Sequence, residues 1–128
     1  MEEIKDYINV LEIKQRKICQ KLQNIIEKNL SNNHSKLFHG SPVWFINENP
    51  IVGFSQKQGK ISLLFWSGQS FEESGLKPIG KFKAAEIAYN EISDIDEHKI
   101  VLWLEESKRI IWDYKNIKKN MGELELLR

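Results

Sequence analysis

The sequence predicts an α+β fold: a mainly antiparallel sheet flanked by an N-terminal helix and a C-terminal helix. Three observations predict it. An apolar stripe of helical period runs through residues 2–30. Three short apolar runs, broken by turn residues, fill residues 42–67. A second helical stripe follows Asp96.

Taken in order, Ile4, Ile8, Leu11, Ile18, Leu22, Ile25 and Ile26 recur at helical spacing with charges between them. That is one face of a long amphipathic helix. No Gly or Pro interrupts it, so a single helix is expected. Ser31-Asn32-Asn33-His34 should end it, because short polar side chains compete for backbone hydrogen bonds and Asn tolerates a left-handed cap.

Val43 to Ile46, Ile51 to Phe54 and Ile61 to Trp66 read as strands. Asn47-Glu48-Asn49-Pro50 and Gln56-Lys57-Gln58-Gly59-Lys60 read as the turns between them. Connections this short favour antiparallel neighbours. On the third strand Ile61, Leu63 and Phe65 share one face, and Ser62, Leu64 and Trp66 the other. Both rows are largely apolar. The sheet is therefore either covered on both sides or half-open as a groove.

Gly68, Gly75, Pro78 and Gly80 punctuate an irregular loop, which Phe71 and Leu76 should pin down. Propensity alone allows a short helix over Lys81 to Tyr89. After the caps Ser93, Asp94 and Asp96, the stripe Ile100, Trp103, Leu104, Ile110 and Ile111 predicts a helix near 96–112. Lys108 and Arg109 suit its C-terminal end. Tyr114 to Arg128 reads as a loosely packed tail or another short element.

The bulk numbers set bounds. A chain of 128 residues is one domain, 1–128. A net charge of +1 creates no general field for nucleic acid or anionic lipid, so neither partner is expected. Cys19 is the only cysteine, which rules out an internal disulfide or a cysteine metal cluster. No run approaches the roughly 18 apolar residues that span a bilayer. The acidic, mixed start Met1-Glu2-Glu3-Ile4-Lys5-Asp6 is unlike a signal peptide, so a cytoplasmic protein is expected.

Catalytic motifs are absent. His34, His39 and His98 have no zinc-site spacing. There is no Gly-x-Ser-x-Gly elbow, and the glycines match neither a P-loop nor a dinucleotide fingerprint. Cys19 sits mid-helix beside Ile18 and reads as a packed side chain. Two carboxylate groups could offer oxygen ligands to a hard cation: Glu2, Glu3 and Asp6, and Glu91, Asp94, Asp96 and Glu97. Both also suit helix N-termini, which is the plainer reading. Aromatic and basic residues mix in Trp112 to Lys119, but Glu105, Glu106, Asp113, Glu123 and Glu125 nearly cancel the local charge. A role as a nucleic-acid platform does not follow.

The order of motifs resembles a known family. Its carriers are Gly40-Ser41-Pro42-Val43-Trp44, Leu63-Leu64-Phe65, Gly80-Lys81-Phe82-Lys83-Ala84-Ala85-Glu86-Ile87 and Trp112-Asp113-Tyr114-Lys115-Asn116-Ile117. Over about residues 2–122 the chain resembles the YdhG-like family of small bacterial domains of unknown function. The resemblance implies a twisted, mainly antiparallel sheet, here of four to five strands, with helices packed on it. It tips residues 85–89 towards a strand, with Ala85, Ile87 and Tyr89 on one side. It also implies a bacterial cytosolic protein. Some members of the wider family are described as frataxin-like iron chaperones that use acidic residues on and near the first helix. Here only Glu2, Glu3, Asp6 and Glu12 match that role, in a helix otherwise rich in lysine.

The function expected is therefore a non-enzymatic binding or chaperone-like domain. It would meet a small ligand or protein partner through an aromatic sheet face at His39, Trp44, Phe54 and Trp66. No cofactor is expected. The alternative is a frataxin-like iron carrier using one of the two carboxylate groups. An enzyme with His39 as acid or base lacks a visible nucleophile or orienting partner.

Overall fold

Three two-residue turns organise the sheet. His39-Gly40, Asn47-Glu48 and Gln58-Gly59 each place both residues at positive φ: 53° and 82°, 49° and 68°, 54° and 78°. That sign pattern belongs to the type I′ turn, whose twist matches that of the strands it joins. The turns link β1 (His34–Phe38), β2 (Ser41–Ile46), β3 (Asn49–Lys57) and β4 (Lys60–Phe65) into an antiparallel meander. Two further strands follow, β5 (Lys77–Pro78) and β6 (Ala85–Tyr89). β6 pairs antiparallel with β4, and β5 lies outside it, giving the order β1-β2-β3-β4-β6-β5. The computed structural model describes residues 2–30 and 34–128.

The α+β class stands, but the sheet has six strands, not four to five. β1 hides its pattern because the residue facing the core beside Trp44 is a serine, Ser35. β5 is two exposed residues long, and its Pro78 lacks the N–H that an inner strand would need. Residues 85–89 form a strand, as the resemblance implies, with Ala85 and Tyr89 buried.

The N-terminal helix is two helices, α1 (Glu2–Asn9) and α2 (Ile13–Asn29). The break falls where Asn9 and the β-branched Val10, 83% exposed, interrupt the good helix formers. Glu12 is extended, and the Leu11 carbonyl is satisfied by the Arg16 guanidinium at 3.2 Å. An unbroken helix over residues 2–29 would be about 42 Å long, well beyond the width of the sheet. The bend lets α1 lie on β1 and β2 while α2 lies on β4 and beside α3 (Glu97–Arg109). The residues expected to end the helix, Ser31 to Asn33, lie outside the described residues. His34 belongs to β1. Among the described residues no helix is long and apolar enough to cross a membrane.

The helices cover one face of the sheet. There Trp103 of α3 meets Phe65 edge-on at 5.9 Å between centroids, and Trp44 meets Phe54 at 5.6 Å. The loop after β4 is held by polar bonds as well as by Phe71 and Leu76. The buried Glu106 carboxylate accepts the Glu72 and Glu73 amides at 2.8 and 3.0 Å, and Lys99 binds Glu73 at 2.6 Å. The tail is also tied down. The Ile111 amide donates to the Arg128 carbonyl and the Asp113 amide to the Glu125 carbonyl, both at 2.7 Å.

Two outcomes test this packing. A Cβ on Gly53 would lie 2.5 Å from the Pro42 carbonyl oxygen and 2.9 Å from Val43 Cγ2. Gly53→Ala should therefore cost about 2–3 kcal/mol of stability in urea denaturation; an unchanged midpoint would contradict the close approach of β2 and β3. Burial pushes the Cys19 thiol up to about 12. The folded protein should therefore resist iodoacetamide at pH 8 and react once unfolded, as mass spectrometry would read.

Candidate functional site

Strand alternation decides which residues face away from the helices. Ile61, Leu63 and Phe65 are buried beneath the helices, so Ser62 and Leu64 of β4 point the other way, followed by Trp66 just past the strand. Pairing carries this across the sheet as one row: Lys36, Val43, Gly53, Leu64, Glu86 and Lys77, one from each strand. Gly53, with no side chain, sits in the middle of that row. It leaves a depression flanked by Leu64 and Val43.

Three adjoining hollows occupy this face, and Trp66 lines all of them. One, of about 210 Å³, lies over Gly53 and is bounded by Phe38, His39, Pro42 and Leu64. A larger one, of about 550 Å³, is bounded by His34, Lys36, Phe38, Phe45, Phe82 and Tyr114. The third, of about 260 Å³, runs past Leu64, Ile79 and Lys81. The rings form two groups: Phe38 meets Phe45 edge-on at 5.4 Å and Trp66 at 6.4 Å, and Phe82 meets Tyr114 edge-on at 6.3 Å.

The C-terminal segment builds one wall. The Tyr114 hydroxyl donates to the Trp66 carbonyl at 2.8 Å and accepts the Lys83 amide at 3.1 Å. Burial raises its pKa, against the opposing pull of the Lys83 amide. The Lys115 amide donates to the buried Asn49 Oδ1 at 2.8 Å, fixing the segment to the start of β3. The charges differ in their partners. Lys57 pairs with Glu86 at 3.1 Å, which also accepts the Ser62 hydroxyl at 2.7 Å, and Lys115 pairs with Glu48 at 3.0 Å. Lys36 and Lys81 instead lie over the Phe45 and Phe82 rings, at 5.1 and 5.2 Å from the centroids.

Of the residues expected to form the groove, the structure brings His39 and Trp66 together. His39 is exposed on its turn, its ring 4.2 Å from that of Phe38. Trp44 and Phe54 are corrected. They are 0% and 2% exposed, and their rings pack together under the helices, although Phe54 still borders the 210 Å³ hollow beside His39 and Trp66. Register explains this: Trp44 pairs with Val52, which pairs with Phe65, so Trp44 shares the face of Phe65 and not that of Trp66. Phe38, Phe45, Phe82 and Tyr114 were not anticipated. The first turn held part of the signal, since it puts Phe38 and Phe45 on one face, but the bulge between Trp44 and Phe45 decides that this is the face of Trp66.

The carboxylates go elsewhere. Glu3 and Asp6 are exposed on α1, and the side chain of Glu2 lies outside the described residues. Asp94 accepts the Asn90 and Glu91 amides at 3.0 and 2.9 Å, where Glu91 and Asp94 form a capping box. Asp96 caps α3 by accepting the Lys99 amide at 3.2 Å, and Glu97 lies 3.5 Å from Lys28. Among the described residues no three His, Cys, Asp or Glu side chains converge as metal ligands would.

The wall makes a direct test available. Tyr114→Phe removes a hydroxyl that bridges two backbone groups, and should cost about 1–3 kcal/mol. Trp66 emission should shift to the red as the wall loosens. Unchanged stability and emission would show that the bridge does not hold the wall.

Neither a family model nor a curated protein matches the chain. Among solved structures, the crystal structure of a DUF1801-family protein, YdhG from Bacillus subtilis, matches with a TM-score of 0.62. It is 14% identical, over 94% of this chain and 93% of that one. The likeness at that identity carries the fold, and it agrees with the resemblance read from the sequence. The chain has the fold of the YdhG-like DUF1801 domains.

Proposed function

We propose that this chain is a non-enzymatic binding domain whose site is the uncovered face of the sheet, centred on Trp66. One observation carries the reading: a single half-exposed tryptophan lines three adjoining hollows on a face the helices leave free. A mostly apolar cavity of about 550 Å³ suits a small ligand. The rings around it offer planar contact at little cost in side-chain entropy.

The polar groups on the floor favour binding over catalysis. Glu86 is neutralised by Lys57 and hydrogen-bonded by Ser62, which is itself buried. His39 meets a phenylalanine ring in place of an orienting carboxylate. A nucleophile, its base and an orienting group are not found together here, as acyl-transfer or hydrolytic chemistry would require.

The test uses the indole N–H signals in NMR spectra of the full chain with a small-molecule fragment library. Binding fragments should shift the Trp66 signal and leave Trp44 and Trp103 in place. Trp66→Ala should fold and lose affinity by about tenfold, the worth of one lost ring contact. Shifts confined to Trp103 or the α1–α2 junction would place the site elsewhere.

A further inference from the structure

We infer that the ligand of this face is a small planar aromatic anion. The inference rests on the binding reading above and adds the chemistry of the occupant.

The planar part follows from the lining. Phe38, Phe45, Trp66, Phe82 and Tyr114 bound the largest hollow. Flat rings set edge-on and tilted to one another leave slots that accept another ring.

The anionic part follows from charge complementarity. Both carboxylates that border the hollows are already matched, Glu86 by Lys57 and Glu48 by Lys115. Lys36 and Lys81 also border them, and among the described residues neither has a carboxylate within ion-pair distance. Their ammonium groups lie over the Phe45 and Phe82 rings. Such a contact is weak at an exposed site, and a ring face does not take up the three N–H donors of an ammonium group. His34 and His39 add ring nitrogens to the same rim. The chain carries a net charge of only +1, yet this rim holds two unmatched cations and no unmatched carboxylate. A cationic ligand would be repelled, and a neutral one would leave both ammonium groups unused. An aromatic body bearing a carboxylate, sulfonate or phosphate meets both requirements.

Two probes with the same ring body separate the two parts. The full chain is titrated with 8-anilino-1-naphthalenesulfonate and with neutral N-phenyl-1-naphthylamine, followed by fluorescence at low and physiological salt. The sulfonate should bind more tightly, and its advantage should shrink with salt. Lys36→Met and Lys81→Met, both at exposed positions, should each weaken the sulfonate by about two- to fivefold and leave the neutral probe unchanged. Lys36→Arg should restore binding. Trp66→Ala should weaken both probes. Equal affinities, or lysine variants without effect, would overturn the anion assignment while the groove stands. Two probes indifferent to Trp66→Ala would overturn the groove itself. A concentration-dependent dimer that excludes both probes would show that a second copy occupies the face, and would overturn the proposal.

Discussion

Two residues at positive φ leave a hairpin no slack. The first and third turns set the β1–β2 and β3–β4 pairing without a slip, and between β2 and β3 a bulge at Trp44/Phe45 shifts the register by one residue beyond the turn. A slip would send every side chain to the opposite face. Register is therefore the constraint on which both faces depend. It sends Trp44, Phe54 and Phe65 to the helices, and Phe38, Val43 and Trp66 to the other side. Four of the residues in these turns, His39, Asn47, Glu48 and Gln58, adopt a left-handed conformation that costs an L-residue something. The Asn and His side chains are among those that tolerate it best.

This constraint separates what the sequence reveals from what it conceals. The alternation in Ile61 to Trp66 is legible because large apolar residues occupy both rows and one strand's parity is enough to sort them. Trp44 is misread because a β-bulge between Trp44 and Phe45 moves the β2–β3 pairing from Phe45–Pro50 to Trp44–Val52, and the extra residue leaves no mark in the sequence. β1 escapes notice because its inward positions, Ser35 and Leu37, include a small polar residue, so no amphipathic contrast remains. The break between α1 and α2 is equally hidden. The apolar stripe keeps its phase through Leu11, and what forces the bend is the finite width of the sheet, a property of the assembled fold.

The open face is kept open by the same elements that border it. The C-terminal segment is tied to the Trp66 carbonyl by the Tyr114 hydroxyl and to the start of β3 by the Lys115 amide. The loop after β4 is drawn the other way, towards α3, by the buried Glu106 carboxylate. One anchor supplies a wall and the other keeps a potential cover on the helix side. A carboxylate buried against two backbone amides is costly to displace, so the loop is fixed there and does not act as a lid.

The two rims of the sheet are unlike each other. On the β5 side the last strand is two residues long and contains Pro78, which offers no donor to a newcomer. On the β1 side a five-residue strand presents its outer backbone groups with no neighbouring strand among the described residues. Any further chain that extended this sheet would have to join along His34 to Phe38. That rim borders the largest hollow, so lengthening the sheet and filling the groove would compete for the same ground.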